Sequence, residues 1–278
     1  MKVIDSVAEL SRAVTEPIAF VPTMGALHAG HQSLIRKARE LTENVVVSVY
    51  VNPLQFENQE DLEKYPKSPT TDELLAESAG AKILWRPSQS ELYPNGTVKI
   101  KAGAIGAIYE GSRTGHFDGV LTVVSALFSS LKPTWAIFGE KDLQQLFLIK
   151  KMASEIFPGI KILAGETVRE STGLALSSRN SRLANKDKIC ASVIVKSLEA
   201  AKMQTSLNSM KREMLAVLAG EPNFTLDYAE IIDEKSFDLA VEGTENKRAI
   251  VAGWINGIRL IDNMAMQNIR SASEVAAI

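Results

Sequence analysis

Short β-branched, apolar runs alternate with amphipathic stretches through residues 1–166, and this alternation restricts the fold more than any other feature. Ile18 to Val21, Val45 to Val51, Ala81 to Trp85, Trp135 to Phe138 and Ile160 to Leu163 read as strands. The run Val45 to Val51 in particular suits a strand covered on both faces, as in a parallel sheet. Between the runs lie the helical patterns Gln32 to Leu41, Thr71 to Ala79, Gly119 to Leu131 and Leu143 to Ile156. Strand and helix in repeated succession imply an α/β fold, a Rossmann-like doubly wound parallel sheet with helices on its faces. Such a sheet binds ligands at the carboxyl ends of its strands.

After residue 166 the pattern changes. Lys186 to Lys202 and Leu207 to Leu218 read as helices, and Asp227 to Ile232 and Arg248 to Trp254 as strands. Asn256-Gly257 is a hairpin-turn signal before a last strand at Ile258 to Ile261. The expected division is therefore residues 1–166, a Rossmann-like domain, and residues 167–278, a smaller C-terminal α+β domain. A chain of 278 residues suits two domains.

Lys and Arg number 31 against 33 Asp and Glu, so the formal net charge is -2. No basic excess exists to hold a polyanion, which counts against nucleic acid as the main partner. The single cysteine, Cys190, allows no intramolecular disulfide and points to a reducing compartment. It lies in the apolar run Ile189 to Val195 and reads as a small buried hydrophobe. Residues Met1 to Asp5 lack the apolar core of a signal peptide, and the longest apolar run, Val120 to Leu131, is too short to span a bilayer. The expectation is a soluble cytoplasmic protein with no membrane partner.

Five segments carry groups suited to chemistry. Pro22 to His31 follows the first expected strand and opens the first expected helix. A helix start offers unpaired backbone N–H groups and a positive dipole end, and so attracts phosphate. Gly25 tightens the turn, and Gly30 allows close approach of a nucleotide. His28 and His31, three apart, would project to one side of a helical turn and could donate to phosphate oxygens. The bland reading is a pair of capping or solvent-facing histidines, but the chain holds only three histidines and two lie here. Asn52 and Gln55 follow the second strand, where a cleft would open, although Asn52-Pro53 is also an ordinary turn. Arg113, in Gly111 to Val120, has the guanidinium geometry to clamp a carboxylate, and the nearby His116 is as readily structural as functional. Gly139-Glu140-Lys141-Asp142 closes the fourth strand: Lys141 suits a β- or γ-phosphate, and Asp142 suits Mg²⁺ or ribose. Leu176-Ser177-Ser178-Arg179 offers hydroxyls and a guanidinium for a phosphate clasp, or simply a polar interdomain loop.

The pattern His28-Ala29-Gly30-His31 resembles the His-x-Gly-His motif of a nucleotidyltransferase superfamily. Taken in order with Val51 to Phe56, Tyr93 to Gly96, Gly115 to Phe117, Phe138 to Gln145, Leu176 to Asn180 and Arg259 to Asn263, the set resembles the pantothenate synthetases over nearly the whole chain. That resemblance implies condensation of pantoate with β-alanine, using ATP and Mg²⁺, through pantoyl adenylate, with release of pyrophosphate and then AMP. It implies that Met24, Gly25, Ala26, Leu27, His28, Ala29, Gly30 and His31 bind ATP, with His31 as proton donor, His28 its partner, and Lys141 catalytic with them. Gly139, Glu140, Lys141, Asp142, Val168, Leu176, Ser177, Ser178 and Arg179 match further nucleotide contacts. Gln55 and Gln145 match the amides that grip pantoate, with Gln55 also serving β-alanine and with Asn52 and Arg113 as further candidates, and Asp142 is the candidate metal ligand. A homodimer is implied in the same way, and because an adenylate is prone to hydrolysis a closing C-terminal lid that excludes water is expected. Thr172, Thr114, Ala126 and Ser129 depart from residues common in the family. The nearest rival is another adenylyltransferase of the same fold. A tRNA synthetase is disfavoured by the short, slightly acidic chain. A non-catalytic nucleotide-binding regulator is disfavoured by intact His28, His31 and Lys141, and a zinc enzyme by the lack of a ligand set.

Overall fold

The structure, a computed structural model, describes residues 1–57 and 59–266. The last expected domain therefore extends, at residues 267–278, outside the described residues. The chain divides into two compact units, Met1–Val168 and a second beginning at Arg169.

In the first unit the elements run β1 (Lys2–Ile4), α1 (Val7–Ala13), β2 (Ala19–Thr23), α2 (Ala29–Leu41), β3 (Val45–Val49), α3 (Gln59–Glu63), α4 (Pro69–Ser78), β4 (Ile83–Trp85), α5 (Gln89–Leu92), α6 (His116–Leu131), β5 (Trp135–Gly139), α7 (Leu143–Ile156) and β6 (Lys161–Gly165). The six strands form one parallel sheet in the order β1-β4-β3-β2-β5-β6. Alternate residues of β2 feed two cores. Ala19 and Val21 pack with Leu34, Ile35 and Ala38 of α2 and Ala76 of α4. Phe20 packs on the other face with Leu10 of α1, Phe128 of α6 and Ile149 of α7. The period of two in the strands and the apolar stripes of the helices thus produce the doubly wound arrangement.

Strand order reverses at β2, whose neighbours are β3 on one side and β5 on the other. That is the switch point at which such sheets open a crevice. Pro22 sharpens it. Odd residues of β2 face β3, since Ala19 N–H donates to Asn44 O and Thr23 O accepts from Tyr50 N–H. Even residues face β5, since Ile18 O accepts from Trp135 N–H. Pro22 therefore has no N–H to offer on the β5 side, and β2 pairs with β5 only at Ala19 and Phe20. On the β3 side pairing continues through Thr23. The sequence reading ended this strand at Pro22; the strand instead runs through it, because the missing donor falls where pairing has already stopped.

The strand before the histidine segment is the second, not the first. Lys2–Ile4 adds a parallel edge strand on β4, and Ser6 caps α1 by accepting from Glu9 N–H. Three residues are too few for periodicity to show.

The second unit holds α8 (Asn185–Lys202), α9 (Leu207–Ala219) and the antiparallel strands β7 (Phe224–Asp233), β8 (Lys247–Ile255) and β9 (Ile258–Ala265), in the order β7-β8-β9. Ala229, Ile231, Ala249 and Val251 pack against Ile194 and Leu198 of α8 and Met210 and Met214 of α9. The β8–β9 turn is Asn256-Gly257 with φ of 48° and 73°, the doubly positive backbone that an Asn-Gly hairpin supplies.

Candidate active site

The chain leaves β2 at Thr23 and must turn sharply to enter α2 at Ala29. Gly25 and Ala26 adopt φ of 81° and 51°. A Cβ at Gly25 would lie 2.9 Å from Asp72 Oδ2, so backbone and space both require glycine there. Asp72, in the first turn of α4 and 2% exposed, holds this turn. Its Oδ2 accepts from Ala26 N–H at 3.1 Å, and its Oδ1 from Leu27 N–H at 2.7 Å and Ser68 Oγ at 3.0 Å. These bonds support the left-handed backbone of Ala26, which a residue with a Cβ adopts at a cost.

The two histidines form the start of α2 themselves. His28 is the N-cap and its Nδ1 accepts from Gly30 N–H at 3.1 Å. His31, three residues on, returns the arrangement: its Nδ1 accepts from His28 N–H at 3.3 Å. This is a reciprocal capping box built from imidazoles. His28 precedes the helix with extended backbone instead of lying within its first turn, yet the two rings lie together on one side as expected. The N–H groups of Ala26, Leu27, His28 and Gly30 have internal acceptors, so these four are not among the open donors expected at the helix start.

The consequence is chemical. A ring nitrogen that accepts from an N–H carries no proton, so each neutral imidazole carries its proton on Nε2. The ring centroids are 4.1 Å apart. Burial first, then the charge of Lys141, lowers the pKa of His28 to about 4, against a smaller opposing pull from Asp142. Burial and then the neighbouring His28 lower His31 to about 3. At neutral pH the site therefore offers two uncharged Nε2–H donors. The same electrostatics place Lys141 and Asp142 beside the histidines. Both come from the turn after β5, across the switch point from β2. Lys141 Nζ lies 3.3 Å from Asp142 Oδ1, whose side chain is 49% exposed.

A second group gathers beyond β3. Asn52, 1% exposed, caps the turn Pro53–Gln55: its Oδ1 accepts from Leu54 N–H, and its Nδ2 donates to Gln55 Oε1 and Gly119 O, both at 3.0 Å. Its carboxamide is thus engaged inside the protein, while Gln55 is half-buried. His116, 8% exposed at the start of α6, places Nδ1 2.9 Å from Gln55 O. Gln145 is half-buried on the first turn of α7, and Gln144 beside it is buried. Gln144 Oε1 accepts from Glu110 N–H, and its Nε2 donates to Ile105 O and Ile108 O. Arg113 sits 3.6 Å from Glu110 Oε2 in an ion pair, on the loop that Gln144 anchors. Val168 is the last residue of the first unit.

In the second unit, Leu176 precedes a short 3-10 turn, Ser178–Arg182, which Ser177 caps by accepting from Arg179 N–H at 3.2 Å. The turn is anchored by Asn180, which donates to Glu170 Oε1 and Ala175 O. Arg169 makes a two-pronged ion pair with Asp262, at 2.5 and 3.0 Å, and Lys188 lies 3.2 Å from Glu170.

A family model described as pantoate-beta-alanine ligase matches residues 1–265. The chain belongs to the pantoate–β-alanine ligase family. Pantothenate synthetase of Acidothermus cellulolyticus is 41% identical over 264 residues, covering 92% of this chain and 87% of that protein. That of Sphingopyxis alaskensis is 40% identical, covering 95% and 99%. The crystal structure of pantothenate synthetase from Thermus thermophilus superposes with a TM-score of 0.90 at 39% identity, covering 95% of this chain and 99% of that one. The ligase of Francisella tularensis, solved with beta-gamma ATP and beta-alanine, gives 0.78 at 34% identity, with 95% and 97% covered.

Within this ligase-family fold, sequence reading passed over Asp72 and Gln144. Asp72 is 46 positions from Ala26, and an acidic residue in the first turn of a helix reads as a dipole partner. Gln144 and Gln145 are adjacent and chemically identical. Only the packing of the 104–113 loop decides which one is buried.

Proposed function

We propose that this chain condenses pantoate with β-alanine, driven by ATP, in two steps at the switch-point crevice. A pantoate carboxylate oxygen attacks the α-phosphorus of ATP, forming pantoyl adenylate as the bond to pyrophosphate breaks. The uncharged amine of β-alanine then attacks the acyl carbon, the C–O bond to AMP breaks, and the nitrogen gives up its proton to yield the amide. The observation that supports this reading best is the imidazole capping box, with both Nε2–H groups available and neutral beside Lys141.

Charge grows on the phosphoryl oxygens as the carboxylate adds. Two Nε2–H donors aimed there stabilise that charge without reorganisation. Uncharged rings cost less to bury than imidazolium ions, and they donate hydrogen bonds rather than transferring protons. In this reading His31 is a hydrogen-bond donor to the transition state, with His28 as its partner, and Lys141 meets the departing phosphates as a point charge. Met24 to Ala29, Gly30 and Gly139 to Asp142 contact the nucleotide, with Val168 contributing backbone. Gln55 and Gln145 hold pantoate by their amides, and Arg113 stands near that acid.

Among the described residues no cluster of three His, Cys, Asp or Glu side chains could cage a metal. A half-exposed carboxylate such as Asp142 fits Mg²⁺ that arrives with the nucleotide, since Mg²⁺ takes one or two protein carboxylates plus phosphate and water. When bound, the ion would neutralise phosphate charge. Ser177, Ser178 and Arg179, with Leu176, are nucleotide contacts in this reading, since hydroxyls and a guanidinium suit phosphate. We place the enzyme in the cytoplasm as a homodimer on the strength of the family resemblance. No described helix is long and apolar enough to cross a membrane.

The test is an assay with pantoate, β-alanine and Mg-ATP, scored for AMP and pantothenate. A different adenylyltransferase would keep AMP in its product. His31→Ala should lower pantoate-dependent ATP–pyrophosphate exchange by about two to three orders of magnitude. Near-full exchange in that variant would refute the role given to His31.

A further inference from the structure

Gln55 is held at two points, and the two have different consequences. The first is its side chain. Asn52 faces a backbone N–H at Leu54, which only donates, and a backbone carbonyl at Gly119, which only accepts. These two groups admit a single orientation of the Asn52 carboxamide, with Oδ1 toward Leu54 and Nδ2 toward Gly119. Nδ2 therefore meets Gln55 as a donor, so Gln55 must turn Oε1 inward and Nε2 outward. The second point is the backbone. Gln55 O is a carbonyl and only accepts, so the His116 Nδ1 at 2.9 Å carries the proton. The close approach that makes both bonds possible depends on Gly119, where a Cβ would lie 2.3 Å from Leu54 O.

We propose that Asn52 and His116 are positioning residues forming a two-point lock that presents Gln55 to the substrate as a hydrogen-bond donor. Asn52 sets the polarity of the amide, and His116 sets the place of its backbone. The lock selects an acceptor, a carboxylate or hydroxyl oxygen of a small acid, at the Gln55 end of the pocket. It selects against an ammonium or amide N–H in the same place. It gives the third histidine a role outside the phosphate chemistry. The inference rests on Gln55 being a pantoate contact, as read above.

The test is steady-state kinetics of the full chain, with thermal melting as a check on folding. Gln55→Ala should raise the pantoate KM by about tenfold or more. Asn52→Asp replaces the inward donor with an acceptor, so Gln55 must turn Nε2 inward. The pantoate KM should again rise about tenfold while the ATP KM stays within about twofold. His116→Phe should act in the same direction. His116→Asn, which restores a donor near the Nδ1 position, should recover most of the loss. If Asn52→Asp does not fold, the two His116 variants decide the question alone. Wild-type pantoate KM in both Asn52→Asp and His116→Phe overturns the lock, as does a parallel rise in the KM of pantoate and ATP, or equal loss in His116→Asn and His116→Phe. An unchanged pantoate KM in Gln55→Ala would instead overturn the substrate reading on which the lock rests.

Discussion

Replacing Asp72 by Asn tests whether a side chain on α4 holds the nucleotide loop in shape. The carboxylate is 2% exposed and accepts three hydrogen bonds, from Ala26 N–H, Leu27 N–H and Ser68 Oγ. In Asp72→Asn the oxygen can remain on Leu27 and Ser68, but the new amide group then points N–H at the N–H of Ala26. Stranding one buried backbone donor costs about 1–3 kcal/mol. Turning the two remaining bonds from charge-assisted to neutral costs about another 1 kcal/mol in total, since a charged partner roughly doubles such a bond. The sum is on the order of 2–4 kcal/mol, taken from the one turn where Ala26 already sits at φ of 51°. Because His28 caps α2 two residues later, the loss should reach the chemistry and, if all of it does, slow pantoate-dependent ATP–pyrophosphate exchange by about thirtyfold to several-hundredfold, one decade per 1.4 kcal/mol. The measurements are amide hydrogen exchange at Ala26 and Leu27, the midpoint of urea unfolding, and the exchange rate. Ser68→Ala, which removes one peripheral donor, is the control and should keep exchange within about twofold. Wild-type protection at both amides together with a wild-type exchange rate in Asp72→Asn would refute the reasoning.

The histidine pair predicts an acid-sensitive fold. Folded pKa values of about 4 for His28 and about 3 for His31, against an ordinary 6.5, mean that the unfolded chain binds protons first as pH falls. Stability is therefore fully present above pH ~6.5 and is lost as pH falls toward 4 and 3, by on the order of a few kcal/mol. Urea titrations at pH 7 and pH 5 should show this slope, and His31→Ala should flatten it; an unchanged slope in that variant would exclude the pair as its source. In the second unit, Arg169→Ala leaves the Asp262 carboxylate, only 4% exposed, without its guanidinium. The expected cost is about 3 kcal/mol. Arg169→Ala should also lower the midpoint of thermal unfolding, and a midpoint equal to the wild type would remove the pair from the list of stabilising contacts.

Much of this was legible in local pattern. The five core strands and the long helices follow from apolar spacing, and Asn256-Gly257 announced its hairpin. The His-x-Gly-His segment, the Gly139–Asp142 turn and the Gln55 turn were visible as polar groups at strand ends. What failed were statements that depend on hydrogen-bond direction. His28 read as a residue of a helical turn and is its cap; of the N–H groups that read as open, those of Ala26, Leu27, His28 and Gly30 are satisfied by Asp72 and the imidazoles. Asn52 read either as a turn former or as a substrate contact, and its carboxamide bonds Leu54, Gln55 and Gly119, as a turn former's does.

Residue types and their spacing determined, without help from tertiary structure, that β2, α2, β3 and β5 would form and which segments would face their carboxyl ends. Periodicity is a local property, carried by neighbours within a few residues. Only the fold decided that β2 and β5 part at Pro22, that Asp72 reaches back to Ala26, and that Gln144 is buried while Gln145 is not. Those outcomes depend on which donor meets which acceptor across tens of residues, and a polar side chain takes its role from the partner that packing brings to it.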